Sequence, residues 1–131
     1  MTDWVWLDEA VALAVHDLSI NLYGGAPGVR DEVLLKSALE AAMQRAVACD
    51  HTDAVEAAAA YTSTIIGAFP FVEGNLRTGF LLGAMLLELN GWRLTAGEDD
   101  VTQAVQHLAS GLLDEAGYTE FLRANVVAKG E

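Results

Sequence analysis

The segment that decides the fold is Phe69-Pro-Phe-Val-Glu-Gly-Asn-Leu-Arg-Thr78, with the apolar run over residues 79–89 directly behind it. Its proline, glycine and asparagine indicate a short loop, and the apolar run predicts a strongly hydrophobic helix. A loop that leads into a helix directs backbone N–H groups at an anion, and Arg77 in the first turn adds positive charge. Glu73 offers the carboxylate oxygen that a hard cation such as Mg²⁺ requires. This is the composition of a loop that holds phosphates.

Length and composition set the broad class of the protein. The 131 residues are enough for one domain, so we expect a single domain over residues 1–131 with a core from about 5 to 127. A hydrophobic content of 53%, rich in alanine, leucine and valine, favours helices. Seven basic against 19 acidic residues give a net charge of −12, which argues against nucleic acid and anionic membranes as partners.

The sequence carries no signal for export or membrane insertion. Residues 1–8 hold acids but no basic group, so they do not form a secretory signal. No apolar run reaches the roughly 18–20 residues that span a bilayer. The single cysteine, Cys49, cannot form an internal disulfide and is either a thiol of a reducing compartment or a small buried hydrophobe. These features predict a soluble, cytoplasmic protein.

Hydrophobic periodicity and capping residues predict about six helices around a central hydrophobic helix. The fourth helix, behind the quoted loop, has almost no polar face and is expected to be the core of the bundle. Asp31 is the expected N-cap of the second helix, and Asp53 with Glu56 forms a capping box at the start of the third. Residues 92–95 should form a short extended piece. The approximate helix bounds are 7–22, 31–47, 53–67, 76–90, 99 or 100 to 111, and 114 or 119 to 127.

Two helices carry specific packing expectations. The third contains four consecutive alanines at residues 57–60, and such small side chains indicate a close approach to another helix. The first should bury one apolar stripe at three- and four-residue spacing. The members of that stripe are Leu7, Val11, Ala14, Val15, Leu18 and Leu22.

Residues 69–78 resemble the signature loop of the Fic/Doc family, His-x-Phe-x-(Asp/Glu)-Gly-Asn-(Lys/Gly)-Arg-Thr. Three further segments resemble Doc-type members and follow in family order, so that the resemblance spans about residues 5–110. They are His16 with Leu22-Tyr-Gly-Gly-Ala-Pro-Gly-Val-Arg-Asp31, Leu34-Leu-Lys-Ser-Ala-Leu39, and Leu87-Glu-Leu-Asn-Gly91.

The resemblance implies an all-α Fic fold that binds ATP with Mg²⁺ at the loop. Fic proteins generally transfer AMP to a hydroxyl of a target protein. Doc-type members are toxins of prophage toxin–antitoxin pairs: they hold the nucleotide inverted and phosphorylate elongation factor Tu. Their antitoxin is a Phd-like protein whose disordered tail folds against the toxin. The implied site residues are Glu73 for the metal, Gly74, Asn75, Leu76 and Arg77 for the nucleotide, and Phe69 and Arg77 for catalysis.

Two positions depart from the family pattern. Phe69 stands where the family has the histidine that accepts the proton of the attacking hydroxyl, and Leu76 stands where Doc-type members have lysine. Phenylalanine cannot act as a general base, whose loss typically costs about 10²- to 10⁴-fold in rate. A missing cation also weakens stabilisation of the developing charge. The two departures predict an impaired transferase, by natural degeneration, by deliberate inactivation, or by reuse of the site for binding.

Other interpretations stay open from sequence. One is a non-catalytic pseudoenzyme that binds an antitoxin-like partner in a dry groove lined by Phe69 and Leu76. Another is a silent prophage remnant. Residue by residue, Glu73 could simply pair with the helix dipole and Arg77 with a nearby acid. The supporting residues have simpler expected roles: Pro70 and Phe71 structural, Thr78 a helix cap, and His16, His51 and His107 packed or hydrogen-bonded rather than ligands.

Overall fold

The structure, a computed structural model, describes residues 5–47 and 53–129. These residues form six α-helices and one two-stranded antiparallel ribbon. Cys49 and His51 lie outside the described residues. Within the described part of the chain no helix is long and apolar enough to cross a membrane. In chain order the elements are α1 (Glu9–Tyr23), α2 (Glu32–Val47), α3 (Ala54–Ala68), α4 (Asn75–Leu89), β1 (Trp92–Leu94), α5 (Glu98–Ser110), α6 (Glu115–Ala124) and β2 (Val126–Ala128).

The predicted all-α fold is confirmed, and local capping explains where its helices begin. Asp31 accepts a hydrogen bond from the Leu34 N–H at 3.1 Å, as expected of the N-cap of α2. The capping box at the start of α3 is complete, because Asp53 accepts from the Glu56 N–H and Glu56 accepts from the Asp53 N–H. Both motifs involve residues three apart, so the sequence alone reveals them.

The secondary structure around residues 124–128 differs from the prediction. Helix α6 ends at Ala124, whereas periodicity extended it to Val127. Residues Val126–Ala128 instead pair antiparallel with Trp92–Leu94, so the predicted extended piece is one half of a ribbon. Each strand has only three residues, and its partner lies far away in sequence. Tertiary pairing therefore overrides the weak helical pattern.

Helix α3 is the most deeply buried element, with ten buried residues against seven in α4. The prediction that α4 forms the core is thus only partly right. Leu82, Leu86 and Leu87 of α4 are fully buried, but Leu89 is exposed. Phe80 and Leu81 remain half-buried because they line a cleft. Hydrophobicity alone did not distinguish a core-facing residue from a cleft-facing one.

Helices α3 and α4 approach closely, as the run of alanines predicted. A Cβ added at Gly83 would lie 2.5 Å from the Thr62 hydroxyl oxygen and 2.9 Å from the Ala58 carbonyl oxygen. Thr62 also donates a hydrogen bond to the Gly79 carbonyl at 2.8 Å. Burial raises the pKa of Tyr118 to about 12, although its hydrogen bond to Thr62 acts in the opposite direction. Thr62 thereby connects three helices.

The stripe predicted for helix α1 is only partly right: Leu7 and Val15 are buried, but the buried face is rotated away from Leu18 and Leu22. The buried residues of α1 are Ala12, Val15, His16 and Ser19. Leu18 and Leu22, predicted to be buried, are 55% and 65% exposed. On the buried face, His16 contacts the loop before α4 through the carbonyl of Glu73. The leucines face outward.

Candidate functional site

The loop between α3 and α4 is anchored by Phe71, which is 1% exposed. Its N–H donates to the Asn75 side-chain oxygen and its carbonyl accepts from the Asn75 amide, each at 3.0 Å. An isolated antiparallel bridge joins Phe71 to Val29 in the connection between α1 and α2. The buried Pro70 accepts two backbone hydrogen bonds from the same connection. The structural roles predicted for Pro70 and Phe71 are confirmed.

Gly74 is the N-cap residue of helix α4, and its φ of 80° and ψ of 20° are left-handed. No described side chain caps this N-terminus. The first-turn N–H groups have no intrahelical acceptors and carry the positive end of the helix dipole. The prediction that Thr78 caps this helix is wrong, because its hydroxyl is buried without a hydrogen-bond partner among the described residues. The start of α4 therefore offers unpaired donors.

A cleft of about 750 Å³ opens at this N-terminus. The four positions that the sequence assigned to a nucleotide line it together: Gly74, Asn75, Leu76 and Arg77. Its volume lies within the range of small-molecule sites, and its lining combines apolar side chains with polar and charged ones, including Arg77 and Glu98. The structure thus brings the predicted nucleotide-binding positions into one cleft.

The opposite wall of the cleft comes from α5, which sequence reasoning did not connect with the site. Val101 and Val105 form its apolar part, and Thr102 and Gln106 lie beside them one helical turn apart. The valines were recognisable as an inward-facing stripe. Which helix that stripe would face depends on how α5 folds back after β1, and no local signal encodes this.

Arg77 lies over an aromatic ring. Its guanidinium carbon is 4.3 Å from the centroid of the Tyr23 ring, a cation–π contact at the cleft. The alternative interpretation, an ion pair with a neighbouring acid, does not apply among the described residues. The charge of Arg77 is therefore not neutralised by a carboxylate and remains available to an anion.

Glu73 is exposed and faces the connection between α1 and α2. One of its carboxylate oxygens accepts a hydrogen bond from the Ala26 N–H. Among the described residues no group of three or more possible metal ligands occurs. Glu73 can nevertheless give one oxygen to Mg²⁺, because this ion is commonly bound by one or two carboxylates together with phosphate and water oxygens. Glu73 therefore fits Mg²⁺ only where a bound phosphate supplies further oxygen ligands to the same ion.

Phe69 lies at the C-terminus of α3 with left-handed backbone angles, φ 50° and ψ 55°. Its side chain is 48% exposed and is not among the residues that line the cleft, whereas Leu76 is. The carbonyls of Ala68 and Phe69 accept hydrogen bonds from the Arg30 guanidinium at 3.0 and 2.7 Å. The position that the family assigns to its base is thus held firmly but carries no titratable group.

The comparison with known families agrees with this geometry. The Fic/DOC family profile matches residues 6–87, well over half of the chain, and the protein belongs to this family. The match covers α1, α2, α3, the loop and nearly all of α4, and it stops before the α5 wall. Membership implies, in general terms, an AMPylation-type transferase or a related function. No curated protein matches the chain significantly.

Proposed function

We propose that this protein is a Doc-type member of the family that binds ATP with Mg²⁺ in the cleft and transfers a group to a protein hydroxyl only very slowly. The observation that supports this most directly is the uncapped, glycine-started N-terminus of α4, which opens into the cleft beside Arg77. The loop that would hold phosphates is well formed, while the position for the base carries Phe69.

The first turn of α4 would hold the phosphates. Its N–H groups supply donors, and Arg77 can exchange its contact with Tyr23 for a bidentate contact to phosphate oxygens. Glu73 would give one oxygen to the metal, which when bound would neutralise phosphate charge. The apolar walls provided by Phe80 and Val105 suit the organic part of a nucleotide.

Two residues would limit the rate. Phe69 cannot accept the proton of an attacking hydroxyl, and this costs about 10²- to 10⁴-fold. Leu76 lines the cleft with an apolar side chain where Doc-type members carry lysine. The negative charge that develops on the phosphoryl group is therefore stabilised by one cation fewer. Positioning by the loop survives both changes.

The partners follow from the Doc-type resemblance and belong to this proposal. The target is elongation factor Tu, and the regulator is a Phd-like antitoxin from a prophage module, both acting in the cytoplasm. The transferred group is phosphoryl if the nucleotide is inverted as in Doc-type members, and AMP if it is bound as in other Fic proteins.

Nucleotide binding is tested by thermal unfolding with and without Mg-ATP and Mg-tripolyphosphate. A ligand that binds only the folded state raises the melting temperature. We expect both ligands to raise it for the wild-type protein and neither to raise it for Arg77→Ala. Arg93→Ala, which removes an exposed arginine outside the cleft lining, is the matched control and should respond like the wild type. An unchanged melting temperature at millimolar ligand would contradict the nucleotide site.

Activity is tested by the intact mass of elongation factor Tu after incubation with the protein and Mg-ATP. We expect an increment of phosphoryl or AMP size that forms about 10²- to 10⁴-fold more slowly with the wild type than with Phe69→His. An increment of similar rate with the wild type would show that another group acts as the base. No increment with either would contradict the proposed target or chemistry.

A non-catalytic interaction module is the second candidate. Phe69 and Val72 are each about half exposed on the same loop, which leaves apolar surface outside the cleft. This candidate predicts that neither Mg-ATP nor tripolyphosphate changes the melting temperature, while a Phd-like antitoxin does. The same titration therefore separates the two candidates.

A further inference from the structure

His16 is a buried histidine that connects α1 to the loop before α4. It is 2% exposed, and its Nε2 lies 2.8 Å from the carbonyl oxygen of Glu73. Its ring stacks on Phe71 at a centroid distance of 4.0 Å and an interplanar angle of 6°. A carbonyl oxygen only accepts, so Nε2 carries the proton and donates it. The stack with Phe71 fixes the plane in which that donor points.

This hydrogen bond fixes the direction of a neighbouring N–H group. The carbonyl of Glu73 and the N–H of Gly74 belong to one trans peptide group, and in such a group they point in opposite directions. Since the carbonyl points at His16, the N–H of Gly74 points away from α1. Within the described residues this N–H has no acceptor.

The peptide group between Glu73 and Gly74 is intrinsically free to turn over. Glycine occupies both positive and negative φ with little penalty, so a flip that reverses the carbonyl and the N–H is sterically open at Gly74. After a flip, the carbonyl oxygen would repel an anion at the place where the N–H now attracts it. The Ala26 N–H contacts the Glu73 side chain, and the bonds between Phe71 and Asn75 hold the residues on either side. Among the described residues, His16 makes the hydrogen bond to the Glu73–Gly74 peptide group itself.

We propose that His16 is a positioning residue: its Nε2–H holds the Glu73–Gly74 peptide so that the Gly74 N–H faces a bound phosphate. This inference rests on the proposed phosphate site. His16 touches neither the phosphate nor the reacting atoms. It acts by keeping the anion-binding conformation of the loop populated, and apparent affinity falls in proportion when that population falls.

The test separates the donor from the packing of the ring. His16→Phe keeps an aromatic ring for the stack on Phe71 and removes the donor. His16→Gln removes the ring and keeps an N–H at similar reach. Val15→Ala, on the same helix and 5% exposed in the wild type, is the control for lost packing in α1.

Two readouts are needed. Titration calorimetry with Mg-tripolyphosphate should give a Kd about tenfold weaker for His16→Phe, close to the wild type for His16→Gln, and unchanged for Val15→Ala. The Gly74 amide in ¹⁵N spectra of the ligand-free protein should shift in His16→Phe and return toward its wild-type position in His16→Gln. A merely structural role would give Val15→Ala and both His16 variants the same behaviour.

Each other outcome overturns a specific claim. Wild-type binding that is retained in a folded His16→Phe, with an unshifted Gly74 amide, overturns the role of His16 and leaves the proposed function standing. Failure of the wild type itself to bind tripolyphosphate overturns the phosphate site and with it the role of His16. If His16→Phe does not fold, long-range ¹H–¹⁵N spectra of the wild type provide the test: an imidazole whose Nε2 carries no proton excludes the proposed donor, and one whose Nε2 is protonated supports it.

Discussion

Position 69 combines an unusual backbone with a half-exposed aromatic side chain. Among the described residues Phe69 is the only non-glycine residue with positive φ. A left-handed conformation costs an ordinary L-residue about 1–2 kcal/mol, and asparagine, aspartate and histidine adopt it more readily than most. The family histidine would therefore fit this backbone at least as well as phenylalanine does.

We expect Phe69→His to fold with a free energy of unfolding equal to or slightly above that of the wild type. Phe69→Val should lower it by about 1–2 kcal/mol, because a β-branched residue is strongly disfavoured in the left-handed region. Urea denaturation of the three proteins measures both effects. Equal stability of the valine variant would contradict the assignment of strain to this position.

Helices α3 and α4 pack closely because small side chains lie at their contact, and this contact positions the start of α4. Gly79 and Gly83 are one turn apart on α4 and face Thr62 and the alanine run of α3. Close packing of this kind leaves no space for an added methyl group. The location of the N-terminus of α4, which we propose binds phosphate, thus depends on the small side chains along the helix behind it.

Gly83→Ala should reduce the free energy of unfolding by about 1–3 kcal/mol, the usual cost of overpacking. The matched control is Gly67→Ala in α3, where an added Cβ meets nothing within 4 Å. That control should be neutral or more stable by up to about 1 kcal/mol, because alanine is the better helix former. A neutral Gly83→Ala would mean that α4 can shift away from α3 without cost.

Across the whole molecule, Asp53 links the start of α3 to α6 through Arg123 at 2.7 Å. Partial burial by itself would raise the pKa of Asp53, but the hydrogen bond from Arg123 and the Glu56 N–H outweigh it and hold this pKa below its ordinary value of 3.8. A carboxyl with a lowered pKa in the folded state stabilises the protein above its unfolded pKa. That contribution is lost as pH falls through the folded pKa.

The stability difference between the wild type and Asp53→Asn should therefore shrink as the pH falls below the ordinary aspartate pKa of 3.8 and through the lower pKa of the folded state. Asparagine still caps the helix but neither titrates nor forms an ion pair with Arg123. The effect should be small, since exposed ion pairs contribute only about 0.2–1 kcal/mol. Urea denaturation of both proteins at several pH values measures it, and protonation of the other acids, which relieves the net charge of −12, cancels in the difference. A pH-independent difference would contradict this account.

The sequence by itself determined the six helices, the capped beginnings of α2 and α3, and the composition of the loop before α4. Caps join residues three apart, periodicity is read within one helix, and the order of glycine, asparagine and arginine is local. The resemblance of residues 69–78 to the family's signature loop is also a local pattern, and it named in advance four positions that line the cleft, Gly74 to Arg77.

Only the tertiary structure decided which surfaces meet. The contact of His16 with Glu73 spans 57 residues, the α5 wall reaches the cleft after the chain turns back at β1, and β2 exists because β1 is beside it. The left-handed backbone of Phe69 is likewise imposed by the anchoring of the loop on both sides. Such features arise from packing between distant segments, and the free energy of that packing appears only when all the elements are in place.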